Sequence, residues 1–322
     1  MSTSRFRRAA AARAFRCGLQ KTRAALYFSL LYIALFHLIL AAPASTYTDT
    51  GSSGCGPDPL LETGSAPTVE PAALSPATIK IVSYNIRYRA GDDLRKLTEL
   101  FKTDAEIGQA AILGLQEVDR RRKRTRNTNT AREMAEALGF HYAWAAPPLP
   151  PGKKDDDEQE EETGVAILSC YPLTDICRIV LPHPGPGGRR RVALGATVRI
   201  GETPLRVYSV HAETRISAKK RLEQFAAILS DLKANHATIE RAVVLGDFNT
   251  WQPSADDETI RFFREANFTT PFPNGEATFK RYFFVKFKLD WVWLRGLEAV
   301  RCGIDREIGL SDHWPLWVEV RL

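Results

Sequence analysis

The chain ends with Ser311-Asp312-His313-Trp314-Pro315-Leu316-Trp317-Val318-Glu319-Val320-Arg321-Leu322, in which an acid and a histidine stand directly before an apolar run. A second acid begins the apolar run Asp290-Trp291-Val292-Trp293, just after Leu289. A carboxylate beside an imidazole at the end of a strand suits metal-assisted or acid–base chemistry. The dipeptide alone is weak evidence, because Asp-His occurs by chance in many chains.

Polar residues also follow four apolar runs upstream of this stretch. They are Tyr84-Asn85, Gln116-Glu117, Ser209-Val210-His211 and Gly246-Asp247-Phe248-Asn249. Polar groups at the carboxyl ends of strands tend to converge on one edge of an α/β sheet. We therefore expect one site at which acids, amides and histidines from distant parts of the chain meet.

The charge of the chain is concentrated at its N-terminus. The 322 residues carry a net charge of +6, and seven Arg and Lys without any acid give residues 1–23 a charge of +7, so the remainder carries −1. A near-neutral remainder does not by itself argue for nucleic-acid binding. Apolar residues at 44% and aromatic residues at 10% are typical of a packed globular core.

The basic tail at 1–23 is followed by an apolar run at 24–42, broken only by Ser29 and His37. This length is typical of a membrane span, which needs about 17–25 residues. The flanking basic residues would hold the N-terminus in the cytoplasm. The alternative is the apolar region of a cleaved signal peptide, with Ala42-Pro43-Ala44 as an imperfect cleavage site. Both interpretations predict export, either as an anchored or as a secreted protein.

Residues 43–77 are rich in Pro, Ser, Thr, Gly and Ala and predict a flexible linker before a domain at 78–322. Apolar periodicity in that domain predicts helices over 93–103, 132–138, 217–233 and 256–266. Strands are predicted over 79–85, 111–116, 141–144, 165–169, 190–200, 205–211, 242–245, 288–294 and 314–320. The short link between two of these strands predicts a hairpin, and hence mixed rather than purely parallel sheets.

Two charged segments and the cysteines leave alternatives open. The segment Arg120–Arg126 has six basic residues in seven positions and predicts either a solvated loop or a phosphate-gripping loop, with Arg124 as the candidate phosphate ligand. The Pro-rich and then acidic segment Pro147–Glu162 predicts an exposed, mobile loop. The five cysteines lack zinc-type spacing. Export would permit a disulfide among three of them, namely Cys170, Cys177 and Cys302. The favoured interpretation is that these cysteines are small buried apolar residues.

The motifs, in their order, resemble the endonuclease/exonuclease/phosphatase superfamily, the group of deoxyribonuclease I, apurinic endonucleases, sphingomyelinases and inositol polyphosphate 5-phosphatases. They are Ser83-Tyr84-Asn85, Leu115-Gln116-Glu117-Val118, Gly164-Val165-Ala166-Ile167-Leu168-Ser169, Ser209-Val210-His211, Gly246-Asp247-Phe248-Asn249, Leu289-Asp290-Trp291-Val292 and Ser311-Asp312-His313. The resemblance implies an α/β fold of the deoxyribonuclease I type over 78–322. That fold is a four-layer α/β/β/α sandwich of two mixed sheets. The likeness is greatest to short bacterial members of unassigned substrate.

The resemblance also implies roles for individual residues. Glu117 matches the acidic ligand of Mg²⁺, with Mn²⁺ as an alternative ion, and Asn85 stands beside it. Asp312 matches a further acid on the metal side. Together with Asn249, Asn85 is also expected to contact the substrate phosphate. Carboxylate and amide oxygens are the donors that such hard cations prefer.

The remaining matches are catalytic. Asp247 and Asn249 match the pair that positions or activates water and steadies the phosphate. His313 matches the histidine that contacts the scissile phosphate, and Asp290 matches the acid that keeps it cationic. His211 matches the second histidine of the nuclease and sphingomyelinase branches, but the sequence does not show which group is its partner.

These roles predict an exported, metal-dependent phosphoric-ester hydrolase. We expect a phosphodiesterase that acts on nucleic acid, on a phospholipid headgroup or on a small phosphodiester. A phosphomonoesterase of the same fold and a non-catalytic phosphate-binding module are the alternatives. The Pro-Trp-Cys/Ser-Asp-Arg type of sequence that marks the 5-phosphatase branch is absent, which counts against that branch. No protein partner is implied, and the membrane would be contacted through the N-terminal segment if that segment is retained.

Overall fold

Two mixed β-sheets lie at the centre of the fold. The computed structural model describes residues 58–66, 76–149, 162–252, 254–273, 275–281 and 284–322. Residues Gly56–Leu322 form one compact unit. The predicted tail and the predicted anchor or signal segment, with most of the acidic loop, lie outside the described residues. Within the described ranges, no helix has the length and apolar character needed to cross a bilayer.

The first sheet contains seven strands of the described chain. In spatial order they are β1 (Leu61–Gly64), β4 (His141–Ala145), β5 (Glu162–Ser169), β3 (Ile112–Arg120), β2 (Thr78–Asn85), β14 (Leu316–Arg321) and β13 (Glu298–Ile304). The β2–β3 pair is parallel, and the other neighbours are antiparallel. Both faces of β2 are apolar: Ile81 packs between the sheets, whereas Val82 and Tyr84 pack on the outer side. Both faces of β2 are therefore covered, and its polar residues Ser83 and Asn85 are buried as well.

The second sheet contains five described strands. In spatial order they are β12 (Asp290–Arg295), β9 (Ala242–Asp247), β8 (Thr203–His211), β7 (Val192–Ile200) and β6 (Leu173–Val180). The β8–β9 pair is parallel. Strands β7 and β8 form the predicted hairpin, because Ile200 pairs with Thr203 across a tight turn. A small separate hairpin joins β10 (Phe279–Arg281) to β11 (Val285–Phe287).

The two sheets pack face to face through an apolar core. Val207 and Leu245 from the second sheet meet Ile81 and Val318 from the first, and all four are fully buried. Gly114 in β3 permits a close approach, because a Cβ atom at this position would lie 2.0 Å from Leu245 Cδ1. Such a contact is too short for any side chain, so glycine sets the spacing of the sheets at this point.

Helices cover the outer faces of both sheets and complete the four layers. They are α1 (Gly91–Thr103) and α2 (Thr130–Leu138) on the first sheet and α3 (Ala218–Asn235) and α4 (Ala255–Glu265) on the second. Helix α2 begins at an N-cap, where the Asn129 side chain accepts the Arg132 N–H, and it ends at Gly139 with φ of 70°. Phe263 of α4 stacks on Trp293 of β12 with ring centroids 4.6 Å apart. The predicted α/β/β/α sandwich is confirmed.

Strand β1 lies inside the segment 43–77, for which the composition predicts a flexible linker. That prediction is wrong for Leu61–Gly64, which pairs with β4 along its whole length. The Glu62 carboxylate accepts hydrogen bonds from Arg120, Asn129 and Tyr142. The strand is too short for its periodicity to stand out in a polar segment. Strands β6 and β13 were also not predicted.

The exposure of the cysteines differs in part from the prediction that they are small buried residues. Cys170, Cys177 and Cys302 are free thiols, so no disulfide joins them in the structure. Cys170 and Cys302 are exposed, and the prediction of small buried apolar residues is therefore wrong for these two. Cys177 is half-buried, and its Sγ atom accepts a hydrogen bond from Arg206.

Candidate active site

The strand directions bring the candidate residues to one edge of the sandwich. Asn85 and Glu117 lie towards the carboxyl ends of the parallel pair β2 and β3, and His211 and Asp247 end the parallel pair β8 and β9. Strand β12 is antiparallel to β9, so its first residue, Asp290, pairs with Asp247. Strand β14 is antiparallel to β2, and the loop that precedes it carries Asp312 and His313 to the same edge. The site therefore draws on both sheets.

Asp247 is the centre of the arrangement, with 2% of its surface exposed. Its Oδ1 accepts the backbone N–H of Asn249 at 3.0 Å, and its Oδ2 accepts from Asn85 Nδ2 at 3.1 Å. The Nε2 atoms of His211 and His313 lie 3.5 Å and 3.8 Å from the same Oδ2. One carboxylate oxygen thus faces an amide and two imidazoles.

The environment of Asp247 shifts its proton affinity. Burial raises the pKa of its carboxyl to about 7; the cationic His313 opposes this shift, while the charges of Asp290 and Glu117 add to it. A carboxylate with a pKa near neutrality is suited to accept a proton at physiological pH.

His313 is bound to Asp290, as the sequence predicts. Its Nδ1 lies 2.8 Å from Asp290 Oδ2, which also accepts from Thr278 Oγ1 at 2.7 Å. Burial alone would lower the pKa of His313, but the charges of Asp290 and Asp247 prevail and raise it to about 10. The imidazole is therefore an imidazolium at neutral pH, with one N–H bound to Asp290 and the other free to donate into the site.

His211 is in the opposite charge state. Burial, together with the charges of Arg191 and His313, lowers the pKa of His211 well below its usual value. The Arg191 Nη1 atom lies 3.3 Å from His211 Nδ1, and the Arg191 Nε atom lies 3.2 Å from the Glu213 carboxylate. A guanidinium only donates, so Nδ1 is the acceptor and the hydrogen of neutral His211 sits on Nε2, facing Asp247. Arg191 is the partner that the sequence did not reveal.

Glu117 and Asn85 lie together beside Asp247 and carry the kinds of oxygen that a hard divalent cation binds. Asn85 Nδ2 donates to Glu117 Oε1 at 3.2 Å as well as to Asp247, so two carboxylates converge on one amide. Glu117 has φ of 55°, a left-handed backbone that aims its side chain away from the regular strand. Burial is the main cause of the raised pKa of Asp247, and the charges of Asp290 and Glu117 add to it. A cation bound to Glu117 would offset the negative charge of that carboxylate.

A second group also has the spacing of a metal site. Ligand atoms of Asp247, Asp290 and His313 all lie within 4.8 Å of one another. Within this trio, His313 Nδ1 is bound to Asp290 Oδ2 at 2.8 Å, and His313 Nε2 lies 3.8 Å from Asp247 Oδ2, so the three groups form an ion-pair network in the structure.

Three predicted residues have contacts that the sequence did not indicate. The Asp312 carboxylate lies 3.1 Å from Arg87 Nη1. Arg124 forms a bidentate pair with Asp119, at 2.7 and 2.9 Å, and stacks on Tyr88. The Asn249 amide donates to the carbonyl of Ala212 at 3.0 Å. Their predicted roles, which are metal binding for Asp312 and phosphate binding for Arg124 and Asn249, stay predictions.

The basic segment Arg120–Arg126 is not a uniform phosphate-gripping loop. Arg120 belongs to β3, is buried, and pairs with the carboxylates of Glu162 and Glu62.

Thr278 and Arg191 are further members of the site that sequence reasoning missed. Arg191 stands at the start of a predicted strand and Thr278 lies in none, so neither shows the pattern of a polar residue after an apolar strand.

Comparison with known proteins agrees with the fold and the motifs. The model of the Endonuclease/Exonuclease/phosphatase family matches residues 82–313. A comparison with curated protein sequences found no match.

Solved structures share the fold. A family protein from Leptotrichia buccalis is 14% identical, with a TM-score of 0.58 over 76% of this chain and 100% of that one. The human Nocturnin catalytic domain is 19% identical, with a TM-score of 0.55 over 76% and 94%. ANGEL2, a 2′,3′-cyclic phosphatase, is 15% identical, with a TM-score of 0.56 over 76% and 95%. These likenesses show the fold alone, whereas the family match spans the ordered motifs. The chain belongs to the endonuclease/exonuclease/phosphatase family of phosphoester hydrolases.

Proposed function

We propose that this protein is a divalent-metal-dependent phosphodiesterase that works outside the cytoplasm. The observation that carries the proposal is the Asp247 carboxylate, which lies between neutral His211 and cationic His313 and beside the Glu117–Asn85 donors. Hydrolysis of a phosphate ester requires a proton acceptor for water, a proton donor and neutralisation of the oxygens. Each requirement is matched by a named side chain.

The residues divide this work according to their charge. Asp247, with its raised pKa, accepts a proton from the attacking water. The imidazolium of His313 donates a hydrogen bond to the phosphate or a proton to the leaving oxygen, while Asp290 holds its ring. Neutral His211 donates from Nε2 and orients Asp247. Mg²⁺ or Mn²⁺, held by Glu117 and Asn85, would supply positive charge to the non-bridging phosphate oxygens.

A diester is the favoured substrate over a monoester. The similar structure of ANGEL2 is that of a 2′,3′-cyclic phosphatase, and a cyclic phosphate is by its chemistry a diester. The His313 proton donor would serve the leaving alkoxide of either kind of ester. The phosphomonoesterase and the non-catalytic binding module are the alternatives.

The functional test is metal-dependent hydrolysis of bis-p-nitrophenyl phosphate by the full chain. We expect turnover with Mg²⁺ or Mn²⁺, loss of turnover with a chelator, and loss in His313→Ala. The matched control is His236→Ala, because His236 contacts Asp231 near the start of β8, at the end of the strand away from His211. This control should retain wild-type turnover.

The outcomes separate the alternatives. Turnover of p-nitrophenyl phosphate without turnover of the diester would favour the monoesterase. A folded chain that hydrolyses neither compound with any divalent ion would contradict the proposal and favour a binding module.

The proposed location rests on the sequence of residues 1–42, with its basic tail and apolar run. Protease treatment of intact cells should digest the domain, and N-terminal sequencing of the mature protein should distinguish a retained anchor from a cleaved signal. A domain that is protected from protease and found in the cytoplasmic fraction would contradict export.

A further inference from the structure

A cleft of about 410 Å³ opens beside the candidate metal site. Glu117 itself lines the cleft, so the cleft and the metal site share a wall. The rest of the lining combines two kinds of side chain. Apolar surface comes from residues that include Tyr88, Pro148 and Leu149, and positive charge comes from arginines that include Arg189, Arg190 and Arg191. The proposed reaction assigns no role to Arg189 or Arg190.

The positive charge of the cleft is incompletely compensated by protein groups. Arg191 is paired with Glu213, and Arg124 at the cleft is paired with Asp119. In contrast, among the described residues the side chains of Arg189 and Arg190 have no hydrogen-bond or ion-pair partner. The charge of Arg191, and then burial, lowers the pKa of the Arg189 guanidinium below its usual value. Like charges that are held together in this way repel each other, and a bound anion would relieve the repulsion.

The cleft is connected to the reacting atoms through direct contacts. Arg191 is 3.3 Å from His211, and His211 is 3.5 Å from Asp247. A substrate whose scissile phosphate lies at Asp247 would therefore extend its neighbouring group past Arg191 into the cleft. That group would meet guanidinium groups and apolar surface together.

We propose that the cleft is a subsite for a second phosphate of a nucleotide substrate, held by Arg189 and Arg190. The inference rests on the proposed function and names its substrate class. Guanidinium groups bind phosphate through charge-assisted, often bidentate hydrogen bonds. The apolar lining at Pro148 and Leu149 favours a nucleotide over a highly hydroxylated polyphosphate, because a sugar or base has apolar faces that can pack on it.

The test compares three thymidine dinucleotides that share one phosphodiester bond: one without a terminal phosphate, one with a 5′-phosphate and one with a 3′-phosphate. For the full chain we expect one terminal phosphate to lower KM by about tenfold, the change that about 1.4 kcal/mol of binding gives. Arg189→Ala and Arg190→Ala should each reduce this ratio of KM values towards one. The control Arg261→Ala, on the exposed side of α4, should keep the wild-type ratio.

Hydrolysis of bis-p-nitrophenyl phosphate in the same preparations separates the two proposals. If the wild type hydrolyses this compound but a terminal phosphate does not change KM, or if the two variants keep the wild-type ratio, the subsite proposal is wrong and the phosphodiesterase stands. If the wild type hydrolyses bis-p-nitrophenyl phosphate but cleaves none of the dinucleotides, the subsite proposal is likewise wrong and the phosphodiesterase stands. If bis-p-nitrophenyl phosphate is not hydrolysed either, the proposed function fails and the subsite assignment fails with it.

Discussion

The positive charge of His313 depends most on the hydrogen-bonded carboxylate of Asp290, and Asp247 adds to the effect. Asp290 is 2% exposed, lies 2.8 Å from the ring and is oriented by Thr278. Asp290→Asn preserves the shape and an oxygen that can accept from Thr278, but it removes the charge that contributes most to the raised pKa of His313. We expect kcat on bis-p-nitrophenyl phosphate to fall roughly 100-fold or more, the usual contribution of a positioned acid.

The checks for Asp290→Asn are kinetic and structural. Urea unfolding should show a folded protein, and ¹⁵N resonances should report the changed protonation of His313. An unchanged kcat in the folded variant would show that the charge of His313 is not needed.

The hydrogen bond from Arg191 fixes the tautomer of His211. A substitution of Arg191 tests whether that tautomer is needed for catalysis. Removing the donor in Arg191→Met frees Nδ1 to carry the hydrogen, so Nε2 would no longer donate to Asp247. We expect kcat to fall by at least about tenfold, because the orientation of a catalytic group is lost. The ¹⁵N spectrum of the histidine ring should show the change of tautomer.

Loss of Arg191 also leaves the fully buried Glu213 without its ion-pair partner, which commonly costs about 3–5 kcal/mol. The double variant Arg191→Met/Glu213→Gln removes both charges and should recover stability without recovering kcat. Full recovery of kcat in the double variant would show that Arg191 acts through stability alone.

At the scale of elements, strand β1 is the feature that decides where the domain begins. Arg120 donates to Glu62 and to the carbonyl of Pro59, and Arg120 is buried. A chain that begins at residue 78 lacks both acceptors and the whole of β1.

We predict that residues 78–322 have a lower free energy of unfolding than residues 56–322, by about 1.5–3 kcal/mol, since Arg120 loses its charge-assisted hydrogen bond to Glu62 while it keeps its pair with Glu162. Urea unfolding measures the difference, and Glu62→Gln in the longer chain should reproduce part of it. Equal stability of the two chains would show that β1 is dispensable.

At the scale of the whole molecule, the spacing of the two sheets positions the site. Gly114 precedes Glu117 in β3, and Leu245 precedes Asp247 in β9, so the residues that set the spacing lie on the strands that carry the site. Gly114→Ala should destabilise the fold by about 1–3 kcal/mol through overpacking. It should also lower kcat, because small displacements of reacting groups are costly.

A complementary pair of changes tests this account. Leu245→Ala alone should cost about 2–5 kcal/mol. In Gly114→Ala/Leu245→Ala the new methyl group occupies part of the space that Leu245 leaves, so the total loss should be smaller than the sum of the single losses. Strict additivity in urea unfolding would contradict direct contact between these two positions.

The sequence alone determined the class of fold, the family and most of the residues that meet at the sheet edge. Strands such as β2 and β9 have apolar runs whose ends carry Asn85 and Asp247, and local periodicity shows both the strand and its end. Ordered motifs at domain-wide spacing then identified the family, which the match over residues 82–313 confirms. The roles of the individual residues stay predictions.

Only the tertiary structure decided the partners and the charges. Arg191 contacts His211, Arg124 pairs with Asp119, and β1, which carries Glu62, pairs with β4 in the first sheet. Such contacts depend on how separate segments pack, which no local pattern records. The opposite charges of the two histidines have the same origin: burial and neighbouring charges set a pKa, and both arise only when the two sheets have come together.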